Sequence, residues 1–339
     1  IRDSLKSFGV KNIYDVGVGI EHQVLVENGW VVPGELIVAG DSHTTTHGAL
    51  GAAATGIGSS EVAYVMATGK LWFRVPETIK FILSGTLPKM VTSKDVILHI
   101  AGEYSTSVAQ YKAIEYTGSA AEEMSLESRL TMSNMSVEIG AKFAFFEPDK
   151  KVEEYLAGRT TNRYKPVYAD IDAVYKAEYE IDVSSLPPQV ALPYEVDNVK
   201  PVSELTGTVI HQVLLGSCTN GRIEDLRIAA EIIQGRKVHH DTRFLVIPAS
   251  SEVYRQAAAE GLIEVLLKAG ATICPPGCGA CFGSHMGLLA EEENCIASIN
   301  RNFKGRMGSP DSKVFLASPA TVAASAIEGK IADPRNYRR

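Results

Sequence analysis

From Thr208 to Gly329 the chain alternates short apolar runs with helical ones, and this pattern constrains the fold most. "TVIHQVLLGSC", "TRFLVIPAS", "ATIC", "NCIASIN" and "KVFLAS" read as strands. "IEDLRIAAEIIQG" places Leu226, Ala229, Ile232 and Ile233 on one helix face, and "SEVYRQAAAEGLIEVLLKAG" is a second helical stretch. "PATVAASAIEG" closes the series with a proline in its first turn. Strands alternating with helices predict an α/β fold with a largely parallel sheet covered by helices. In such a sheet, ligands bind beyond the carboxyl ends of the strands. Cys218 follows "QVLLG", Cys278 and Cys281 follow "ATIC", and "NRNFKGR" follows "CIASI". Three chemistry-bearing segments are thus expected along one edge of the sheet.

The preceding part is less regular. "IRDSLKSFGV" reads as a helix already under way, and "ELIVAG" as a short strand over Leu36 to Ala39. A helix with Ser59 or Ser60 as N-cap and Gly69 as stop is expected next. "VPETIKFILSG" begins a new alternating strand, and "TSKDVILHIAGEY" a helix capped by Thr92 or Ser93. A polar, tyrosine-rich stretch leads to the proline-rich "SSLPPQVALPYEVDNVKP", expected to be a linker. The resulting division is residues 1–75, 76–186 and 187–339. The chain of 339 residues is long enough for several domains.

A net charge of −7 and the lack of any Lys/Arg-rich run argue against a nucleic-acid partner. No apolar run is long enough for a bilayer span, so no membrane role is expected. Five cysteines, an odd number, do not make a disulfide framework for a chain this size. They suit a reducing cytoplasm, where clustered thiols bind metal or do chemistry.

Three of the five lie in "CPPGCGACFG", Cys274 to Gly283. The C-x-x-C spacing lets Cys278 and Cys281 reach one centre from a tight turn. The surrounding glycines bring backbone N–H groups close, which stabilises anionic sulfur. Cys218 supplies a third thiolate from another strand end. Structural zinc normally takes four ligands, often as paired knuckles, so three thiolates favour an iron–sulfur cluster with one iron lacking a protein ligand. Such an iron acts as a Lewis acid, able to polarise a C–O bond for dehydration. "AGDSHTTTHG" offers Asp41 and His43, with His22 of "IEHQV" able to orient against one of them. His47, taken alone, reads as polar surface. Asn134 and Glu138 stand four apart in "SNMSVEIGAK", on one face if that segment is helical. Arg301 and Arg306, beside Asn300, suit bidentate carboxylate binding.

"GDSHTTTHGALGA", "NMSVEIGA", "GSCTNGRIEDLR", "GCGACFG" and "NRNFKGRMG" together resemble the aconitase superfamily, from about His22 to the C-terminus. More narrowly they resemble the large subunits of its isopropylmalate dehydratase and homoaconitase branches. The resemblance implies three α/β/α domains around a [4Fe–4S] cluster, and reversible dehydration and hydration of a hydroxy di- or tricarboxylic acid. It implies Cys218, Cys278 and Cys281 as cluster ligands, with Asn134 and Asn300 near the cluster. Asp41 with His22, and Glu138 with His43, resemble the acid–imidazole pairs of the site. Arg301 and Arg306 resemble substrate-carboxylate arginines. An Asp-His pair found further upstream in the family has no counterpart here, so residues 1–75 are expected to form an incomplete first domain. The family's serine base lies on a swivelling domain, expected here in a separate small subunit, so the chain alone is expected to be inactive. Isopropylmalate is the favoured substrate, with homocitrate-type acids as the alternative. A cluster-less RNA-binding regulator is disfavoured by the acidic charge. An electron-transfer protein has no need of Asp41, His43, Arg301 and Arg306. Cys295 is expected to pack as an apolar strand residue. Cys274 is either a buried thiol or a neighbour of the cluster pocket that forms a disulfide in oxidised apo-protein.

Overall fold

The computed structural model describes residues 2–283 and 285–337. Ile1, the start of the expected first helix, lies outside them; the helix is present over Arg2–Ser7. The strands in chain order are β1 (Leu36–Ala39), β2 (Ala53–Gly56), β3 (Thr78–Ser84), β4 (Ala113–Thr117), β5 (Phe143–Phe146), β6 (Ala177–Asp182), β7 (Gln189–Ala191), β8 (Val199–Pro201), β9 (Gln212–Gly216), β10 (Arg243–Ile247), β11 (Thr272–Ile273), β12 (Asn294–Ala297) and β13 (Lys313–Ala317). They form three sheets: β1-β2, a four-stranded β5-β4-β3-β6 and a seven-stranded β11-β10-β9-β12-β13-β7-β8. Every pair is parallel except β13–β7 and β7–β8. The fold is therefore α/β with largely parallel sheets, as the strand–helix alternation predicts.

Burial follows from position in the sheets. Strand β9 is central and buried at all five positions, which is why it reads as an unbroken apolar run. Strand β3 alternates, with Ile79, Phe81 and Leu83 turned into the core. One apolar cluster runs across both larger sheets, joining Phe81 and Tyr116 to Leu214, Cys295 and Val314. Cys295 is fully buried in β12, where its thiol serves as a small apolar side chain.

The helix Ser93–Tyr104 binds the two sheets together. It follows β3 in sequence but packs on β7 and β8 of the other sheet. The Asp95 carboxylate accepts the N–H of Thr92 at its own N-cap (2.8 Å) and that of Gln189 in β7 (2.9 Å).

Several local expectations are corrected. The proline-rich stretch is no linker. Its residues 189–191 are buried in β7, and β8 pairs antiparallel with it at the sheet edge, where prolines are tolerated. The long helix after Ser250 breaks at Gly261, whose φ of 76° ends one helix (Ser251–Ala259) and precedes the next (Leu262–Ala269). The helix Ser59–Thr68 is capped by Gly58, whose N–H donates to Glu61, rather than by a serine. None of that helix is buried, despite Val62, Val65 and Met66. Strands β2, β4, β5 and β6 were not legible in the pattern.

Candidate functional site

The carboxyl ends of β9, β11 and β12 point the same way, because the three strands run parallel in one sheet. Beyond β9 the chain turns sharply: Ser217 sits at φ 79°, a left-handed conformation costly for a residue with a Cβ. That turn presents Cys218 on a short helical segment, Ser217–Asn220. Beyond β11, Cys278 and Cys281 lie in the glycine loop. Gly283 has φ 62°, and a Cβ there would stand 2.7 Å from the Met307 backbone. The loop can pass the Arg306–Met307 segment only because that position is bare.

The thiols sit among nitrogen donors. Asn134 Nδ2 lies 3.2 Å and Asn300 Nδ2 3.5 Å from Cys218 Sγ. Asn134 is steered by Thr46 (2.9 Å) and Thr219 (3.0 Å). Arg306 donates through Nε to the Cys281 carbonyl at 2.9 Å, and its Nη2 lies 3.8 Å from Cys281 Sγ. All five cysteines are free thiols.

Two carboxylate–imidazole pairs complete the site. His22 Nε2 lies 2.6 Å from Asp41 Oδ1, and His43 Nε2 lies 2.7 Å from Glu138 Oε1. Arg301 Nε donates to the same Glu138 oxygen at 2.8 Å. Burial pushes the Glu138 carboxyl up, but His43 and Arg301 outweigh burial and hold it below its ordinary value. Burial opposes charge on both Cys218 and His22. Their mutual attraction prevails, aided at His22 by Asp41, and holds the thiol below and the imidazole above its ordinary value. Asp41 is likewise lowered against its burial, chiefly by His22. Glu21, half-exposed at the rim of the pair, is raised to about 7 by partial loss of hydration and by the neighbouring Asp41 carboxylate.

Asn134 and Glu138 do not share one α-helix. The helix Leu126–Met135 passes into a 3-10 turn, Ser136–Ile139, before Gly140 at φ 90°. The change aims Asn134 at Cys218 and Glu138 at His43 and Arg301. His47 is not surface: it is 1 % exposed, held neutral by burial, and its ring stacks 6.0 Å from that of His22. Cys274 is buried, with its sulfur 4.0 Å from the Thr272 carbonyl and no hydrogen bond to another cysteine.

Some participants carried no signal in the sequence reading. Arg222, buried, donates to the carbonyls of Cys218 and Thr219 and to Gln23 Oε1 at 3.0 Å, tying the His22 helix to the cysteine turn. Its place in "SCTNGR", four residues after a cysteine, was the available clue. Lys94 is fully buried beneath the end of β12.

The aconitase family, described as aconitate hydratase, matches residues 1–209 and 198–329. The chain belongs to the aconitase family. Within it, the chain is 55 % identical over 337 residues to 3-isopropylmalate dehydratase large subunit 1 of Methanopyrus kandleri, covering 99 % of this chain and 81 % of that protein. It is 50 % identical to the 3-isopropylmalate dehydratase large subunit of Halothermothrix orenii, over 98 % of this chain and 80 % of that one. It is 49 % identical to a protein of Methanosarcina mazei named as a methanogen homoaconitase large subunit, covering 99 % and 85 %.

Proposed function

We propose that this chain is the large, cluster-bearing subunit of a hydro-lyase that interconverts 2- and 3-isopropylmalate by dehydration and rehydration. The single observation that carries the reading is the placement of the three cysteines beyond the parallel strands β9 and β11, with Cys218 joined through Asn134 and Asn300 to the side of the molecule that holds the two acid–imidazole pairs and Arg301. The isopropylmalate dehydratase names of relatives at 50–55 % identity favour the substrate. The Methanosarcina relative keeps a homoaconitase reading as the second choice.

Cys218, Cys278 and Cys281 would hold a [4Fe–4S] cluster, and the donor set fits it. The sulfurs of Cys218 and Cys281 lie among carboxamide and guanidinium N–H groups, with Cys278 on the same loop as Cys281, and His22 Nδ1 and His47 Nδ1 are buried without hydrogen-bond partners among the described residues. Bound there, the cluster supplies a Lewis-acidic iron. The chain's own groups serve the departing hydroxide and the substrate carboxylates, and the base that takes the carbon-bound proton would come from the small subunit. Asp41 holds His22 Nε2, so the free Nδ1 can deliver a proton to a departing hydroxide. Glu138 fixes His43 and Arg301 together. Only Nε of Arg301 is hydrogen-bonded among the described residues, which leaves both Nη groups for a substrate carboxylate. Arg306 keeps Cys281 in place and offers its charge to a second carboxylate.

Residues 1–75, 76–186 and 187–339 form the three structural units of this reading. A separate small subunit would bring the swivelling domain. The cytoplasm is the compartment that suits the free thiols. The test is anaerobic reconstitution with iron and sulfide, addition of a small subunit, and a panel of isopropylmalate, homocitrate-type and citrate-type acids. Turnover of isopropylmalate is expected. Turnover of homocitrate-type acids in its place selects the second reading, and tight zinc binding without sulfide uptake overturns both.

A further inference from the structure

Lys94 is fully buried at the second position of the helix Ser93–Tyr104. That place disfavours a cation twice, because burial strips its hydration and the helix N-terminus carries positive partial charge. Its ammonium makes no ion pair among the described residues. It donates to the carbonyls of Ser298 (3.0 Å) and Ile299, and lies 3.8 Å from Met135 Sδ. Neighbouring Asp95 is already committed to the N–H groups of Thr92 and Gln189. Stability alone does not account for such a residue, since an apolar side chain of the same length would cost less there.

What Lys94 touches is the frame of the thiol site. Ile299 precedes Asn300, which donates to Cys218 Sγ, and Arg301, which grips Glu138. The Ser298 hydroxyl accepts the N–H of Gly216 (3.0 Å) at the turn that presents Cys218. Met135 adjoins Asn134, the other amide donor to that sulfur. The lysine thus meets three residues on two segments, each one residue or one hydrogen bond from a group at the cysteines. Burial lowers its pKa to about 7 against the pull of Cys281, Asp225, Asp95 and Cys218.

We propose that Lys94 is a positioning residue for the cysteine centre: it pins the Ser298–Ile299 turn and supplies the buried positive charge that offsets an anionic iron–sulfur assembly on Cys218, Cys278 and Cys281. The inference rests on the cluster reading above. A cation near an anionic cluster favours the reduced, more negative state and slows loss of iron.

The test uses the whole chain, reconstituted anaerobically, as wild type, Lys94→Met and Lys94→Gln. Met keeps length without charge, and Gln keeps N–H donors without charge. Folding is followed by circular dichroism, loading by iron and sulfide content, and the reduction potential by spectroscopic titration. Both variants are expected to fold, Lys94→Met with a lower apo melting temperature than Lys94→Gln because it leaves the Ser298 and Ile299 carbonyls without a donor. Both should show at least a tenfold shift in the reduction equilibrium toward the oxidised cluster, 59 mV for a one-electron couple, and about tenfold faster iron loss to a chelator. Folded variants with unchanged potential and unchanged iron loss overturn the proposal. Failure of both variants to fold makes Lys94 a structural residue and overturns it too. Failure of the wild type to take up sulfide overturns the cluster reading instead, so the two failures are distinct.

Discussion

At the scale of residues, the site is governed by who shares Glu138. One oxygen accepts from both His43 and Arg301, so under the proposed function the carboxylate would couple proton transfer to carboxylate binding. Arg301→Lys keeps a charge but loses the planar fork, and its shorter reach to Glu138 is also compromised. The expected loss is about 1.5–3 kcal/mol of substrate binding, read as a rise in KM with little change in melting temperature. Unchanged kinetics with a lowered melting temperature would assign Arg301 to a structural ion pair. Glu138→Gln keeps one carbonyl oxygen as acceptor but removes the charge that holds His43 and Arg301 and adds an N–H donor beside them. It is expected to lower kcat by about 10²- to 10⁴-fold while cluster content, measured as iron and sulfide, stays at the wild-type level.

At the scale of elements, turns and edges decide. In the cysteine loop, Gly283→Ala puts a Cβ against the Met307 backbone at a positive φ, a conformation that costs about 1–3 kcal/mol even in open space. Sulfide uptake is expected to fall sharply while the far-ultraviolet circular dichroism is kept. Equal uptake by the variant would show that the loop has room to relax. In the seven-stranded sheet, Val190 is fully buried in β7 and lies next to the helix that joins the two larger sheets. Val190→Asp would bury an unpaired carboxylate and should destabilise the chain by about 3 kcal/mol or more, measured by denaturant unfolding. A flexible linker at that position would accept the aspartate without effect.

At the scale of the whole molecule, the two larger sheets share one apolar cluster. Residues 76–186 and 187–339 are expected to unfold in a single transition, which denaturation followed by fluorescence and circular dichroism checks through coincident midpoints. The site is assembled across all three sheets: His22, Asp41 and His43 come from around β1, Glu138 precedes β5, and the cysteines and arginines follow β9, β11 and β12. Turnover is expected only when a small subunit is supplied. Substantial turnover by the isolated chain would overturn the two-chain reading.

The sequence by itself determined the parallel sheet of residues 208–329 and the identities of the groups beyond its strands. Apolar runs of strand length alternating with amphipathic helices leave few other packings, and chemistry-bearing residues stand out where such runs end. It also carried the pairing partners of His22 and His43, through motif resemblance rather than through periodicity. Tertiary structure decided what has no local pattern. His47 reads as polar surface until the His22 helix covers it. The stretch around Val190 reads as a linker because its strands are three residues long and flanked by prolines. Lys94 and Arg222 have no local pattern that marks them as buried. Only the fold closes over them, since burial depends on what arrives from more than a hundred residues away: the Ser298–Ile299 carbonyls for Lys94 and Gln23 for Arg222.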